Sequence, residues 1–366
     1  MVGDPAPWFV VPATNNPKYH FDAAAGRAIV LCFLGSAGET KAQQVLDEFL
    51  QNRQVFNDDR CSFFGVSVDP EDEQLSRVRQ ILPGIRFFWD FDRRVSQQYK
   101  AFDRSGLYRQ CTYILDERLR VFGVFPFDEE PKTHVSQVLT RLAELPELAP
   151  PEKASIQAPI LVVPRIFEPE LCQKLIDYYE KNGGGESGFM REIDGRTVPI
   201  LDNSFKRRRD CNIEDEDLRK TAMFRIHDRL APEIHKAYQF KATRIERHIV
   251  ACYDSVTGGF FRSHRDNTTK GTAHRKFAVS LNLNTGEYDG GCLRFPEFGR
   301  QTYEAPPGGA VVFSCSLLHE ATPVTRGRRY AYLPFLYDDE AAKIRQANLQ
   351  FLDDSLEKTE TRSAFR

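Results

Sequence analysis

Apolar positions in the first 148 residues follow two patterns. Residues 28–34 (AIVLCFL) and 62–68 (SFFGVSV) are nearly continuous apolar runs, typical of strands buried on both faces. Other segments repeat apolar residues at helical spacing or form short runs around a charged turn. The predicted elements are strand 28–34, helix 40–52, strand 62–68, helix 71–81, strands 112–115 and 121–124, and helix 133–145. This order predicts an α/β unit in which helices cover a mixed sheet.

The second half has a different pattern, in which short apolar runs are separated by glycine and proline. A run at 160–163 and a helix from Pro169 come first. The predicted strands that follow are 277–283, 292–295, 310–313 and 329–336. Many short strands with turn residues between them predict a jelly roll, a double-stranded β-helix with flanking helices.

Proline density marks the boundary between the two patterns. The chain is predicted to have a first domain at 1–148, a proline-rich linker at 149–158, a second domain at 159–339 and a charged tail at 340–366. The end of that tail, 359–366, is expected to fray.

Composition narrows the class of protein. The formal net charge is -2, which argues against a nucleic-acid partner held by a general positive field. No apolar run approaches the ~20 residues that span a bilayer, and the N-terminus lacks the pattern of a signal peptide. The eight cysteines are scattered without metal-type spacing, so they predict reduced thiols and a cytoplasmic protein.

Three residues of the second half have the types and spacing of a metal site. His264 and Asp266 are two apart, so on a strand both side chains would face the same side. His319 lies downstream, after the predicted strand 310–313. Two imidazoles and one carboxylate form the facial triad of non-haem Fe(II) oxygenases, which leaves three iron positions open. His20 and Asp22 repeat the same spacing in a polar segment without these partners, and they are predicted to lie on the surface.

A cation beyond His319 adds to this constellation. Arg329 precedes an apolar stretch (AYLPFL), and strand alternation places it on the same face as Ala331 and Leu333, which is predicted to point inward. Arg328 would then point outward. A buried guanidinium binds a carboxylate through two parallel hydrogen bonds, so Arg329 is a candidate anchor for an acidic cosubstrate.

With these residues in place, positions 159–339 resemble the prolyl 4-hydroxylase-like 2-oxoglutarate/Fe(II) oxygenases. The similarity also includes DGGCLRF at 289–295. It implies that His264, Asp266 and His319 bind Fe(II), that Arg329 binds the distal carboxylate of 2-oxoglutarate, and that Tyr253 donates its hydroxyl to the same cosubstrate. Many members of the family have lysine at the position of Arg329. The resemblance implies O2 as the second cosubstrate, with ascorbate as an accompanying reductant.

The first 148 residues resemble the peroxiredoxins and their thioredoxin-like fold. The likeness rests on GDPAPWF at 3–9 and VSVD at 66–69. That family places a nucleophilic cysteine at the N-terminus of the helix after the first central strand, where this chain has GSAGET at 35–40. The domain is therefore expected to be redox-inactive, and Cys111 is the thiol for which residual redox activity stays open.

The expected function is that of a dioxygenase that hydroxylates a C–H bond and releases succinate and CO2. The resemblance leaves the substrate open between a peptidyl residue, an amino acid and a small molecule, and it leaves the oligomeric state open. No nucleic acid or membrane is expected as a partner. Two alternatives remain: a thiol-dependent peroxidase that acts through the first domain, and a non-catalytic metal-binding jelly roll.

Overall fold

A computed structural model of the chain describes residues 1–103, 105–353, 356 and 363–364. The chain divides into two compact units, Met1–Glu152 and Lys153–Arg366. Nearly all of the segment for which fraying is predicted, 359–366, lies outside the described residues. Among the described residues, no helix is both long enough and apolar enough to cross a membrane.

The first unit has a thioredoxin-like fold. Its elements are β1 (Val10–Ala13), β2 (Asn16–His20), β3 (Ala28–Gly35), α1 (Thr40–Gln51), β4 (Cys61–Ser67), α2 (Pro70–Gln74), β5 (Ile85–Trp89), α3 (Arg94–Gln98), β6 (Cys111–Leu115), β7 (Val121–Pro126) and α4 (Pro131–Ala143). They form one sheet in the order β2-β1-β5-β4-β3-β6-β7. Strands β3, β4 and β5 are parallel, while β6 and β7 are antiparallel to their neighbours.

Strand β3 is apolar throughout because it lies at the centre of this sheet. Alternate residues of β3 belong to two different cores. Val30 and Leu34 pack with α1 and α4, whereas Ile29 and Phe33 face the side that contains α3. A strand covered on both faces has no solvent-facing position, which explains the uninterrupted run in the sequence.

Two parts of the sequence prediction for this unit are wrong. The helix predicted at 71–81 ends at Gln74, because Ser76 has a φ of 52° and the Arg77 guanidinium turns back to Asp69 and Asp72. The strand β5 was not predicted, nor were β1, β2 and α3. In β5 the sequence IRFFW lies directly after a proline and a glycine, so its short apolar run gave no alternating pattern.

The second unit is a jelly roll with flanking helices. Its elements are β8 (Leu161–Val163), α5 (Pro169–Asn182), β9 (Gly185–Glu186), β10 (Phe189–Ile193), β11 (Arg196–Ile200), β12 (Lys206–Arg207), β13 (Arg209–Asn212), α6 (Glu216–Arg225), α7 (Ala231–Tyr238), β14 (Arg244–Glu246), β15 (Ile249–Asp254), β16 (Phe260–His264), β17 (Phe277–Asn282), β18 (Asp289–Gly290), β19 (Leu293–Arg294), β20 (Thr302–Tyr303), β21 (Ala310–Ser314), β22 (His319–Ala321), β23 (Val324–Arg326), β24 (Arg328–Tyr332), β25 (Phe335–Tyr337), α8 (Asp339–Asn348) and β26 (Ser363–Ala364).

Two sheets carry the functional residues of this unit. The larger sheet has the order β26-β14-β25-β17-β24-β15-β13-β9, with β21 beside β17 and β8 beside β21. The smaller sheet has the order β12-β16-β22-β19-β20. The strand predicted at 329–336 is in fact two strands, β24 and β25, which are separated at Pro334 because proline has no N–H for a continuous ladder.

Candidate active site

The two histidines predicted as metal ligands are register partners in the smaller sheet. His264 ends β16, His319 begins β22, and these strands pair antiparallel with His264 opposite His319. The ring centroids are 4.3 Å apart. Pairing in the sheet therefore brings together two side chains that are far apart in the sequence.

Hydrogen bonds fix which nitrogen of each imidazole is free. The Nδ1 atom of His264 lies 2.7 Å from the carbonyl oxygen of Arg262, and that of His319 lies 3.0 Å from the carbonyl oxygen of Leu317. Because a carbonyl only accepts, Nδ1 carries the hydrogen in both rings. Each Nε2 of the neutral ring then presents a lone pair, as a metal ligand requires.

Asp266 completes the cluster from just beyond the end of β16. Its Oδ1 lies 3.6 Å from Nε2 of His264, and its Oδ2 lies 3.3 Å from Nε2 of His319. One ligand atom from each of the three residues lies within 4.8 Å of the others. Among the described residues, this is the group of histidine, cysteine and carboxylate side chains that can hold a metal ion. The ligand atoms of these three residues offer lone pairs to the space between them, and a metal cation fits there.

Burial and charge set the protonation of these groups. Burial lowers the pKa of His319 to about 4, so the ring is neutral near pH 7. Burial alone would raise the pKa of Asp266, but the two histidines outweigh it and hold this pKa well below its usual range. A neutral imidazole and an ionised carboxylate are the forms that bind metals.

Aromatic rings hold both histidines in position. Phe261 stacks on His264 with 3.5 Å between ring centroids, and Phe313 lies 4.5 Å from His319. Phe295 packs against Phe313 behind them. The two histidine rings are therefore packed against aromatic side chains, which limits their rotation.

Arg329 points into the same unit's interior, as strand alternation predicts. It is only 2% exposed, and its Nη2 donates to Ser280 Oγ at 2.6 Å and to Asn282 Oδ1 at 3.0 Å. Its Nε is buried without a hydrogen-bond partner, and within the described part of the chain no carboxylate pairs with it. Burying such a cation is costly unless an anion compensates it, so this site fits an acidic ligand.

The neighbouring arginines behave differently. Arg328 is about half exposed and pairs with Asp254 and Glu180. Arg326 is also exposed and pairs with Asp289. Arg329 is thus the cation of this strand segment that faces the interior.

Tyr253 lies beside Arg329 on the adjacent strand. The two are register partners between β15 and β24, and the Arg329 guanidinium lies 5.2 Å from the centre of the Tyr253 ring. The Tyr253 hydroxyl accepts a hydrogen bond from Arg208 Nη1 at 3.4 Å, so its own hydrogen is free to be donated. Both side chains line the cavity that contains the His264, Asp266 and His319 cluster.

That cavity has a volume of about 340 Å³ and lies between the two sheets. His264 and His319 come from the smaller sheet, and Tyr253 and Arg329 come from the larger one. All five residues singled out in this half of the sequence are therefore brought together in one cavity.

Six further cations line this cavity and were missed by the sequence analysis: Arg191, Lys206, Arg208, Arg247, Arg265 and Arg275. Arg208 forms a two-pronged pair with Asp210 at 2.7 and 2.6 Å. Arg275 pairs with Glu246, which also accepts from His274. Two of them, Lys206 and Arg208, lie in the run KRRR at 206–209, in which alternate residues are buried, although the sequence of the run does not indicate this.

His20, which is predicted to lie on the surface, is not part of this cavity. It ends β2 in the first unit and is exposed. The metal-ligand cluster found among the described residues does not include His20 or Asp22.

The start of α1 in the first unit carries carboxylates where a peroxiredoxin would have a thiolate. The buried carboxylate of Asp72 accepts from the backbone N–H of Ala37 at 2.8 Å and from Ser67 Oγ at 2.6 Å. Burial raises the pKa of Cys111 to about 12 and that of Cys32 to about 12, so both thiols are protonated near pH 7. Neither has the low pKa of a reactive cysteine.

Comparison with known families separates the two units. Residues 248–337 match the 2OG-Fe(II) oxygenase superfamily. This segment contains Tyr253, His264, Asp266, His319 and Arg329. Residues 2–122 match the AhpC/TSA family. The resemblance of each half of the chain to its family is therefore confirmed.

Individual relatives cover parts of the chain. A PKHD-type hydroxylase of Synechococcus sp. is 30% identical over 89 residues, which are 23% of this chain and 39% of that protein. A PKHD-type hydroxylase of Shewanella frigidimarina is 42% identical over 72 residues, 19% of this chain and 32% of that protein. The chain thus spans well under half the length of these two relatives.

Two solved structures are similar to different parts of the chain. Peroxidoxin BcpB from Mycobacterium tuberculosis is 19% identical, covers 40% of this chain and 98% of its own, and has a TM-score of 0.36. A prolyl-4-hydroxylase from Pseudomonas putida is 17% identical, covers 49% of this chain and 91% of its own, and has a TM-score of 0.38.

Proposed function

We propose that residues 159–339 form a dioxygenase that depends on Fe(II), 2-oxoglutarate and O2 and that hydroxylates a C–H bond, with succinate and CO2 as co-products. The observation that supports this most directly is the joint presence of two features in one cavity. One is the cluster of His264, Asp266 and His319, and the other is the buried, uncompensated charge of Arg329. A protein that only bound a metal would not need the second feature.

The proposed ligands of Fe(II) are Nε2 of His264, Nε2 of His319 and a carboxylate oxygen of Asp266. The backbone carbonyls of Arg262 and Leu317 keep each imidazole in the tautomer that presents Nε2. When bound, Fe(II) and 2-oxoglutarate together supply the activation of O2 that inserts oxygen into a C–H bond. The protein contributes three ligands and leaves the other iron positions open.

Arg329 is the proposed anchor for the distal carboxylate of 2-oxoglutarate, and Tyr253 is proposed to donate its hydroxyl to the same group. Ser280 and Asn282 hold the guanidinium through Nη2 and leave its Nε without a partner. A carboxylate that accepts from this cation would compensate its charge. This anchor would fix the cosubstrate between the two sheets.

Apolar side chains around the cluster are proposed to exclude water from the reacting groups. Phe261, Phe313, Leu293 and Ala321 line the cavity next to the histidines. Their removal of solvent strengthens the electrostatic interactions inside the cavity. We propose that the first unit, which carries buried thiols, takes no redox part in this reaction.

The test of this function combines co-product and product detection. The full chain is incubated with Fe(II), 2-oxoglutarate, ascorbate and a pool of amino acids, peptides and small metabolites under ¹⁸O2. We expect succinate to form and one compound to gain a single ¹⁸O atom in the mass spectrum, and neither to occur with His264→Ala. Iron binding without any succinate would instead support the non-catalytic jelly roll. Peroxide consumption with a thiol reductant would support the peroxidase alternative.

A further inference from the structure

The cavity carries more positive charge than iron and 2-oxoglutarate use. In the proposed function, the divalent ion, the Asp266 carboxylate, the doubly charged 2-oxoglutarate and the Arg329 guanidinium have no net charge together. Arg208 and Arg275 are neutralised by their pairs with Asp210 and Glu246. Arg265 pairs with Glu297, and Arg191 is exposed to solvent next to Glu192 in the sequence. The cations of the lining that remain without an ion pair and away from bulk solvent are Lys206 and Arg247.

Lys206 is a buried cation with neutral partners. It is 4% exposed, and its Nζ donates to Ser187 Oγ at 2.6 Å and to the carbonyl oxygen of Gly188 at 2.5 Å. The same ammonium lies 4.7 Å from the centre of the Phe261 ring, which stacks on His264. Within the described residues Lys206 has no ion pair, so its charge is left for a ligand.

Arg247 has a similar environment on the larger sheet. It lies between β14 and β15 with a φ of 55°, and its Nε donates to the carbonyl oxygen of Leu333 at 3.0 Å. Its guanidinium lies 4.3 Å from the centre of the Phe335 ring. In the described part of the chain no carboxylate pairs with it, and its terminal nitrogens have no hydrogen-bond partner there.

The charge of Arg247 acts on Lys206. Burial lowers the pKa of Lys206 well below its usual range, the charges of Arg208 and Arg247 lower it further, and those of Asp210 and Asp266 raise it. An anion bound beside Lys206 would favour its charged form. Burial lowers the pKa of Arg247 to about 10, with further lowering by Arg208 and Arg275. Like charges held together in a cavity are destabilising unless an anion binds between them.

Carboxylates of the cavity itself do not supply that anion. Asp266 faces the two histidines, and Glu192 is exposed beside Arg191. We infer that the primary substrate presents an acidic group, a carboxylate or a phosphate, which Lys206 and Arg247 bind within the cavity. This inference rests on the proposed function and names the chemical class of its substrate.

An anion-binding experiment tests this inference without turnover. The full chain is loaded with Zn(II) and 2-oxoglutarate under nitrogen, and both are quantified in each sample. Thermal melting is then measured with acetate as a carboxylate probe, with sulfate as a phosphate probe, and with acetamide as the neutral match of acetate. Sodium chloride at the same ionic strength is the reference. The larger of the two anion shifts identifies the acidic group.

For the natural chain we expect at least one anion to raise the melting temperature by about 2–4 °C beyond chloride, and acetamide to have no effect. Lys206→Met and Arg247→Met should each lose this shift. Arg207→Met, which removes the exposed cation that follows Lys206 in β12, should keep the shift.

Three results would overturn the inference. The first is the same anion shift in the natural chain and in both variants. The second is no shift beyond chloride in the natural chain. The third is a loss of 2-oxoglutarate binding in Lys206→Met or Arg247→Met, because these cations would then belong to the cosubstrate site. If the natural chain bound neither Zn(II) nor 2-oxoglutarate, the proposed function itself would fail, and the loading measurement reports this separately.

Discussion

Tyr253 and Arg329 lie opposite each other on antiparallel strands β15 and β24, with the guanidinium 5.2 Å from the centre of the tyrosine ring. The pair lies on the larger sheet, in the part of the cavity that would hold 2-oxoglutarate. The two metal-ligand histidines line the same cavity from the smaller sheet. The tyrosine covers one face of the cation and so keeps solvent from it. Tyr253, Ser280 and Asn282 already hold the Arg329 guanidinium in place. It could therefore bind one carboxylate without rearranging.

Replacing Arg329 with alanine should raise the 2-oxoglutarate concentration that gives half-maximal binding by tens-fold or more, while metal binding persists. Loss of one partner from a buried charged pair costs about 2–5 kcal/mol. Arg326→Ala and Arg328→Ala should change it little, because both side chains are exposed and pair with surface carboxylates. Calorimetric titration of the metal-loaded chain measures this, and equal effects at all three positions would contradict the assignment.

Gly291 packs closely against the side chain of Arg329. It has a φ of 66°, and a Cβ built on it would lie 2.9 Å from Cδ of Arg329 and 2.9 Å from Cγ2 of Val324. Gly291→Ala should therefore displace the guanidinium and weaken 2-oxoglutarate binding while metal binding remains. Gly195→Ala is the matched control, since Gly195 has a φ of 76° but open space around it. Equal 2-oxoglutarate affinities in the two variants would show that the close approach to Arg329 is unimportant.

Replacement of Glu246 should lower the free energy of unfolding of the second unit. It accepts from Arg275 at 2.9 and 2.5 Å and from His274 at 2.8 Å. Glu246→Leu leaves the buried Arg275 without its carboxylate partner, which typically costs ~3–5 kcal/mol. Urea unfolding of the full chain measures this loss.

The control for Glu246 is Glu340→Ala, which breaks an exposed pair with Lys343. That substitution should leave the unfolding midpoint unchanged. An unfolding midpoint for Glu246→Leu equal to that of the natural chain would show that Arg275 is compensated by another group.

The first unit should not consume hydrogen peroxide with a thiol reductant. Burial keeps Cys111 and Cys32 protonated, and the start of α1 carries the Asp72 carboxylate instead of a thiolate. The full chain and Cys111→Ser should therefore give the same background rate in a peroxide assay. Peroxide turnover that disappears in Cys111→Ser would make the chain a bifunctional enzyme.

The sequence predicted the direction of a side chain correctly where strand alternation alone determines whether that side chain is buried. Strand alternation before an apolar stretch was enough to predict that Arg329 points inward and Arg328 outward. The convergence of His264 with His319 depends on the register of β16 and β22, which no local pattern encodes. We predicted that these histidines converge only because two imidazoles and a carboxylate together can bind Fe(II).

The missed cations show the limit of this kind of reasoning. Lys206 and Arg208 lie in a run of four basic residues, which as a pattern is typical of an exposed segment. Their burial follows from tertiary contacts, with Ser187 and Gly188 for the lysine and with Ser187 and Tyr253 for the arginine. Arg247 is similar, because its position depends on a positive φ between two strands.

Fe(II) binding by the full chain decides whether His264, Asp266 and His319 form a metal site. Fe(II) is titrated into the metal-free chain under nitrogen, and the bound iron is counted after desalting. We expect one Fe(II) per chain, none retained by His264→Ala or His319→Ala, and normal binding by His20→Ala, which removes an exposed histidine of the other unit. Full iron retention by His264→Ala, or its loss in His20→Ala, would mean that these three residues do not hold the iron.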